Sequence, residues 1–446
     1  VFLLRNKIFE SGTRHLGRWY GSIPSIAGNL SVGEIAGNIV EHSWGSGINI
    51  TWGKGGSSDA NVPFIRGFVH HNRVSHSLQG VNDYGGIEAW GGGPVYTYNN
   101  ISEDAQGWHY NWGKARVSLG YAIYHDGSFK NYTFNNIVKG TGWNLNSGAY
   151  MHVLGFYNMW VHNVAYNVSE LTFSGDGGLS PDGQNYYLGN VSDSTELQFY
   201  HATRRSGIPF ESLGNNVFSG NEFKGTFISN KPASGRSKLS FTAFTYLLNS
   251  YTPDLGTVGF ESSKRVFANP AGNDFRPTAS SEVIDKGVKF FAPFPLSKVV
   301  GEWHFNKHQA DSTLIKGENF YFTSEFNDRL TYKNVPKNHL TAAGLSDTSF
   351  VYGELEDWAP GALYFDGIQT YCMLDDDETS ATVCNDVDMA TNEFVLESYF
   401  KTPEGNTGGV LIAKYGDSGY GYQLDLDDSG NARFCAMNNG AVEFSQ

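Results

Sequence analysis

FNNIVKGTGWNLNSGAYMHVLGFYNMWVHNVAYNV, residues 134–168, contains the same short phrase twice: NNI at Asn135–Ile137 and HNV at His162–Val164. The phrase, a polar turn residue followed by an aliphatic, recurs upstream and downstream as NKI, GNI, NRV, NNI, GNV and NNV. Its aliphatic positions are Ile8, Ile39, Val74, Ile101, Ile137, Val164, Val191 and Val217, with successive spacings of 31, 35, 27, 36, 27, 27 and 26. A period near 27 with occasional insertions, in a chain rich in Gly and Asn, predicts one coil of a parallel β-solenoid per repeat. Inward side chains of each coil stack on those of the next about 4.8 Å away, while Asn and Gly take the left-handed bends. The expected fold class is therefore all-β, with a right-handed parallel β-helix over residues 1–289.

The rest of the chain reads differently. Phe267–Val288 (FANPAGNDFRPTASSEVIDKGV) suits a terminating coil, and residues 290–300 a Pro-punctuated apolar linker. From Gly301 onward the pattern alternates with period 2 between turn signals, as in GGVLIAKYG (Gly408–Gly416) and GYQLDLDDSGNARFCAM (Gly421–Met437). That predicts an antiparallel β-sandwich over 301–446. Both ends of the chain are expected to lie inside a longer protein, because Val1–Ile8 already reads as part of a coil and Gln446 arrives before the last expected strands.

Composition narrows the function classes. Charged residues make up 17% and aromatics 15%, which excludes a disordered chain or a coiled coil. Of the net charge of −14, residues 1–300 contribute +2 and residues 301–446 contribute −16. Neither part has the basic stripe that nucleic acid requires, and no apolar run approaches the roughly 20 residues of a membrane span. Val1–Ile8 is too short, and charged too soon, for a signal peptide.

The densest polar and aromatic phrases fall in three consecutive coils: NDYGGIEAWGGG (Asn82–Gly93), YAIYHDGS (Tyr121–Ser128) and YMHVLG (Tyr150–Gly155). Counting back from the anchors aligns Ile87, Ile123 and Tyr150. Glu88, Tyr124 and Met151 then form one ladder, Ala89, His125 and His152 the next, and Trp90, Asp126 and Val153 a third. The phrases D-Y-G-G-I at Asp83–Ile87 and I-Y-H-D-G-S at Ile123–Ser128, one coil apart and followed by His152, resemble the secreted parallel β-helix glycoside hydrolases that include α-L-fucosidases and xylanases. The resemblance implies Asp83 and Asp126 as catalytic carboxylates, with His152 beside them. On a straight strand Asp83 and Asp126 would lie about 23 Å apart, so that pairing needs a sharp bend at Gly85–Gly86. Geometry offers a second pair. Glu88 and Asp126 are two positions apart in register on adjacent coils and on one face, about 8 Å from each other, a spacing that suits an inverting hydrolase.

Trp90, Trp108, Tyr110, Trp112 and Tyr124 are candidate sugar-stacking residues, and Lys114 and Arg116 candidate carboxylate clamps. Most of these sit in the insertion Glu103–Gly120, expected to overhang the groove. Tyr124–His125, or the basic pair, also leaves open a polysaccharide lyase or epimerase. The second part resembles the laminin-G/concanavalin-like family through its FDG step (Phe365–Gly367) and I-x-K strand (Ile412–Lys414), implying a carbohydrate-binding module. Asp375, Asp376 and Asp377 read as Ca²⁺ ligands or as a solvated acidic loop; no other cofactor is called for. Cys372 and Cys384 read as a disulfide or as two unpaired thiols. Sequons at Asn29, Asn49, Asn100, Asn131, Asn167 and Asn190 read as glycan sites or as turn asparagines. The expected protein is secreted and takes a polysaccharide or glycan partner. The competing expectation is a non-catalytic extracellular structural or adhesive component, with self-assembly or further domains of a longer chain.

Overall fold

The computed structural model describes residues 2–12, 24–29, 32–51, 66–81, 84–92, 95–110, 116–118, 120–128, 131–140, 147–153, 158–168, 171–172, 185–202, 211–214, 216–228, 237–251 and 258–288. Beyond these it describes residues 314–315, 318–325, 329–336, 340–344, 346, 349–356, 359–366, 368–374, 398, 400–402, 408–415, 421–438 and 441–445. It is an all-β structure with large parallel sheets, and the single described α-helix is Phe241–Tyr251. Two compact units are present: the first comprises Val1–Val299 with Phe320–Val335 and Glu356–Pro360, the second the remaining residues.

The first unit is β-helix-like. An eight-stranded sheet runs from Phe2–Leu4 to Glu211–Gly214, and a nine-stranded sheet from Lys7–Phe9 to Gly259–Glu261; eight successive coils add one strand to each, and Gly259–Glu261 extends the second alone. A five-stranded sheet forms a third wall from Ile26–Asn29, Ile48–Thr51, Tyr84–Gly92, Gly120–Ser128 and Ser147–Val153. Every pairing within these three sheets is parallel, which follows when consecutive coils wind the same way. Inward aliphatics, among them Ile35, Val40, Ile48, Val69, Val74, Ile87, Ile123 and Val138, form one continuous core.

The repeat register differs from the aliphatic alignment at two coils. In the nine-stranded sheet Ile101 pairs with Arg73, Ile39 with Arg73, and Lys7 with Ile39, so Ile8 and Val74 sit one position beyond the shared anchor. What every coil shares is the residue before it: Asn6, Asn38, Asn72, Asn100, Asn136, Asn163, Asn190 and Asn216. From Asn6 to Asn190, each backbone N–H and each Nδ2 donates to the Oδ1 of the next asparagine at 2.9–3.2 Å. From Asn38 onward Nδ2 also donates to a carbonyl one coil back, for example Asn163 to Thr133 at 2.8 Å. The amide thus satisfies backbone groups that a bend between two sheets would otherwise bury without partners. A shorter ladder links Asn131, Asn158 and Asn185 at the entry to the eight-stranded sheet.

Phe267–Val288 is not a terminating coil. Phe267–Asn269 pairs antiparallel with Asp274–Pro277, and the segment lies as a strap along the outside of the solenoid. Val266 and Phe267 pack on the outward Val164, Val191 and Val217, while Val288 packs on Met159, Val161, Tyr186 and Leu188. Those outward positions are apolar, so covering them takes apolar surface out of water. The core is instead closed by Phe241 and Phe244 of the helix, which pack against Phe218 and Phe223.

In the second unit Gly409–Tyr415, Gly421–Leu426, Ala432–Asn438 and Ala441–Ser445 form a four-stranded antiparallel sheet. Asp425 pairs in register with Arg433 and accepts both Nε (2.9 Å) and Nη2 (3.0 Å), a bidentate cross-strand contact. In the FDG step, Asp366 Oδ1 accepts Thr370 Oγ1 at 2.6 Å and the N–H groups of Thr370, Gln369 and Ile368, which hold its carboxyl well below the usual range. That aspartate is spent on shaping its own turn.

Candidate functional site

The three chemistry-bearing strands lie in the expected register. Ile87, Ile123 and Tyr150 align, followed by Glu88–Tyr124–Met151, Ala89–His125–His152 and Trp90–Asp126–Val153. The preceding strand adds Asn49 beside Glu88 and Thr51 beside Trp90. Strand alternation places Ile87 and Ala89 in the core, and so turns Glu88 and Trp90 to the outer face of this sheet. Asp126, opposite Trp90, shares that face.

Glu88 is the electrostatic centre of the site. It is only 2% exposed, its Oε2 accepts Ser46 Oγ at 2.8 Å and Gly85 N at 3.4 Å, and Asn49 adds a side-chain hydrogen bond. Burial raises its carboxyl to about 8; the Ser46 hydrogen bond opposes this, the negative charge of Asp126 adds to it, and the hydrogen bonds from Gly85 and Asn49 oppose it more weakly. At neutral pH Glu88 is a protonated acid beside a partly exposed Asp126 and a partly exposed Trp90. A proton donor held neutral next to a second carboxyl group is the arrangement that separates acid from base in two-carboxylate chemistry.

Gly85 makes this seat possible. A Cβ there would sit 2.6 Å from Ile87 O and 2.7 Å from Tyr124 Cβ, so no side chain fits without moving backbone. Gly85→Ala is expected to cost about 1–3 kcal/mol in urea unfolding and to weaken the N–H contact to Glu88. An unfolding curve coincident with wild type would show the close approach to be unimportant.

Several expected roles fail for stated reasons. His125 points into the solenoid, 1% exposed, with Nε2 bonded to Thr133 Oγ1 at 2.7 Å and its ring 4.9 Å from Trp160. It shares its register position with the core residues Ile50 and Ala89, so strand parity rather than chemistry decides its direction. Tyr124 is buried against Tyr121 and presents no face to a sugar. Through Gly85–Gly86 the strands keep one register, Tyr84 and Gly85 pairing with Gly120 and Tyr121 at the same offset as Ile87 with Ile123, while the consecutive Ala122 and Ile123 both lie in the core and so break the strand alternation there. Asp83 lies outside the described residues.

The insertion folds as a hairpin, Trp108–Tyr110 against Arg116–Ser118. The side chains of Trp108, Tyr110, Arg116 and His152 lie outside the described residues, as do Trp112 and Lys114 entirely. Asp375, Asp376, Asp377 and Cys384 lie outside them too. Among the described residues no group of three or more His, Cys, Asp or Glu could hold a metal ion. Cys372 is a free thiol, half-buried on a strand where burial pushes it up to about 11.

The sequons divide by burial. Asn100 and Asn190 belong to the long ladder and Asn131 to the short one, all buried with their amides engaged, which leaves no room for a glycan on the folded chain. Asn49 is partly buried beside Glu88, Asn167 is exposed with Nδ2 donating to Gly140 O, and the Asn29 side chain lies outside the described residues. Sequence reasoning missed both ladders, although an Asn at one fixed place in every coil was available as the signal. Ser46, 42 residues from Glu88, carried no signal at all.

No family model, curated protein or solved structure matches the chain. No described helix is long and apolar enough to cross a membrane.

Proposed function

We propose that the chain is a secreted glycoside hydrolase acting on a polysaccharide or glycan, built on a right-handed parallel β-helix and followed by a laminin-G-like carbohydrate-binding sandwich. The reading rests on one observation: Glu88 is neutral at physiological pH and stands two register positions from Asp126 on the adjacent coil. Protonated Glu88 would donate to the glycosidic oxygen as the C–O bond breaks. Asp126 would take the proton of the attacking water. The roughly 8 Å between such positions leaves room for that water and implies inversion at the anomeric carbon. Trp90, beside both, supplies an apolar ring for a sugar face. No cofactor is required for this chemistry; Ca²⁺ at Asp375–Asp377 would serve the sandwich alone.

The test is release of reducing ends from a panel of cell-wall and algal polysaccharides by wild type, Glu88→Gln and Asp126→Asn. The expected outcome is activity in wild type and a loss of about 10²–10⁴-fold in each variant, with NMR detecting the inverted anomer. Unsaturated uronate products would select a lyase. Wild-type activity retained by both variants would end the acid–base assignment. A second reading, a non-catalytic extracellular solenoid, is favoured by the enclosure of Glu88 by Ser46, Gly85 and Asn49. An inert wild type across the whole panel would select it.

A further inference from the structure

The strap is fastened to the solenoid at two places of different chemistry. Near its start, Lys139 Nζ, on a buried residue, donates to Ala271 O at 3.1 Å and to Asn273 Oδ1 at 2.6 Å. At its end, Val288 N–H donates to His162 Nε2 at 3.0 Å. An imidazole nitrogen that accepts a hydrogen bond carries no proton, so His162 is neutral with its hydrogen on Nδ1. Two glycines line its seat. A Cβ on Gly189 would come 2.7 Å from His162 Cδ2, and one on Gly287 3.3 Å from Nε2. Under the strap end lie Met159, Val161, Tyr186 and Leu188, an apolar ridge covered by Val288.

We propose that His162 is a pH-operated latch: acidification places a proton on Nε2, removes the acceptor for Val288 N–H, and frees residues 283–288 to lift from the ridge. The Lys139 fastening stays closed, because an ammonium has no proton to gain. Burial lowers His162 below 6.5, and an N–H donated to Nε2 favours the same unprotonated ring. A folded value below the unfolded one means that the unfolded chain binds the proton first. Stability from this contact is therefore complete above about pH 6.5 and is lost as pH falls through the folded value. The titratable groups on the elements around His162 include Glu282, Asp285 and Lys286 of the strap and Tyr132, Tyr166, Tyr186 and Asp193 of the strands; none of them contributes to its shift. Protonation would thus put an uncompensated charge in an apolar seat.

Hydrogen exchange of the full chain, corrected for intrinsic rates, tests this at about pH 7 and about pH 4.5. The expected result is a reversible loss of protection of about tenfold or more at residues 283–288, with residues 267–278 unchanged. His162→Gln, whose amide oxygen can accept the same N–H without titrating, should abolish the response. Protection that is unchanged on acidification, or that falls equally in His162→Gln, overturns the latch. Should the variant not fold, ¹⁵N NMR of the wild-type imidazole decides. A proton on Nδ1 with a midpoint below 6.5 supports the proposal, and a proton on Nε2 or a midpoint at or above 6.5 refutes it.

Discussion

Asn163→Ala is expected to lower the unfolding free energy of the solenoid by on the order of 4 kcal/mol. The substitution removes Oδ1, which accepts Asn136 N and Nδ2 at 3.0 and 2.9 Å, and Nδ2, which donates to Thr133 O and Asn190 Oδ1. The Asn136 N–H loses its acceptor and Thr133 O a donor, both on buried residues. Each such orphan costs about 1–3 kcal/mol, more than the net worth of an average hydrogen bond, because the group was desolvated to be there. Asn163→Asp should do no better at neutral pH, since a carboxylate would face the oxygens of Thr133 and Asn190. Asn167→Ala is the control. That side chain is exposed and makes one contact, to Gly140 O, so its loss should stay under about 1.5 kcal/mol. Urea unfolding of the three variants measures the difference, and equal midpoints for Asn163→Ala and Asn167→Ala would contradict a load on the ladder.

Glu88 should make wild-type stability fall with rising pH, and Glu88→Gln should remove that dependence. The group titrates at 4.5 when unfolded and at about 8 when folded. Below pH 4.5 both states hold the proton and the site costs nothing. Between the two values the unfolded chain releases the proton while the folded chain keeps it, so stability falls by about 1.4 kcal/mol per pH unit. The accumulated loss approaches roughly 5 kcal/mol above pH 8. Glutamine is isosteric with the protonated acid, and its Oε1 can still accept from Ser46 and Gly85. Glu88→Gln should therefore match wild type near pH 4.5 and exceed it by several kcal/mol near pH 8. Chemical denaturation across that range reads both curves. Parallel curves would show Glu88 to be ionised in the folded protein and would take away the proton donor on which the hydrolase reading depends.

These two side chains also mark how legible the chain was. The Asn phrase was visible, and its period gave the solenoid and the strand register of Glu88, Asp126 and their neighbours. Anchoring the repeat on aliphatics instead of asparagines misplaced Ile8 and Val74 by one residue, because a turn tolerates either arrangement in sequence and only hydrogen bonding between coils distinguishes them. The direction of His125 was knowable from parity once Ala89 opposite it was taken as core. The strap was read as a coil because strand and turn residues look alike whether they stack at the end of a solenoid or lie along its wall.

By itself, the sequence determined whatever repeats along the chain: the coil period, the parallel stacking, the in-register strands and the alternation of the four-stranded sheet. Such features are local or periodic, and a hydrogen-bonding or hydrophobic pattern carries them from residue to residue. The tertiary structure alone decided what depends on residues far apart in sequence. Glu88 is kept protonated by its burial and by the charge of Asp126 on the adjacent coil, against the opposing hydrogen bonds from Ser46, Gly85 and Asn49. The strap is fastened by Lys139 and His162, more than 120 residues before the groups they hold. Burial and desolvation are properties of a packed neighbourhood, and no run of residues encodes them singly.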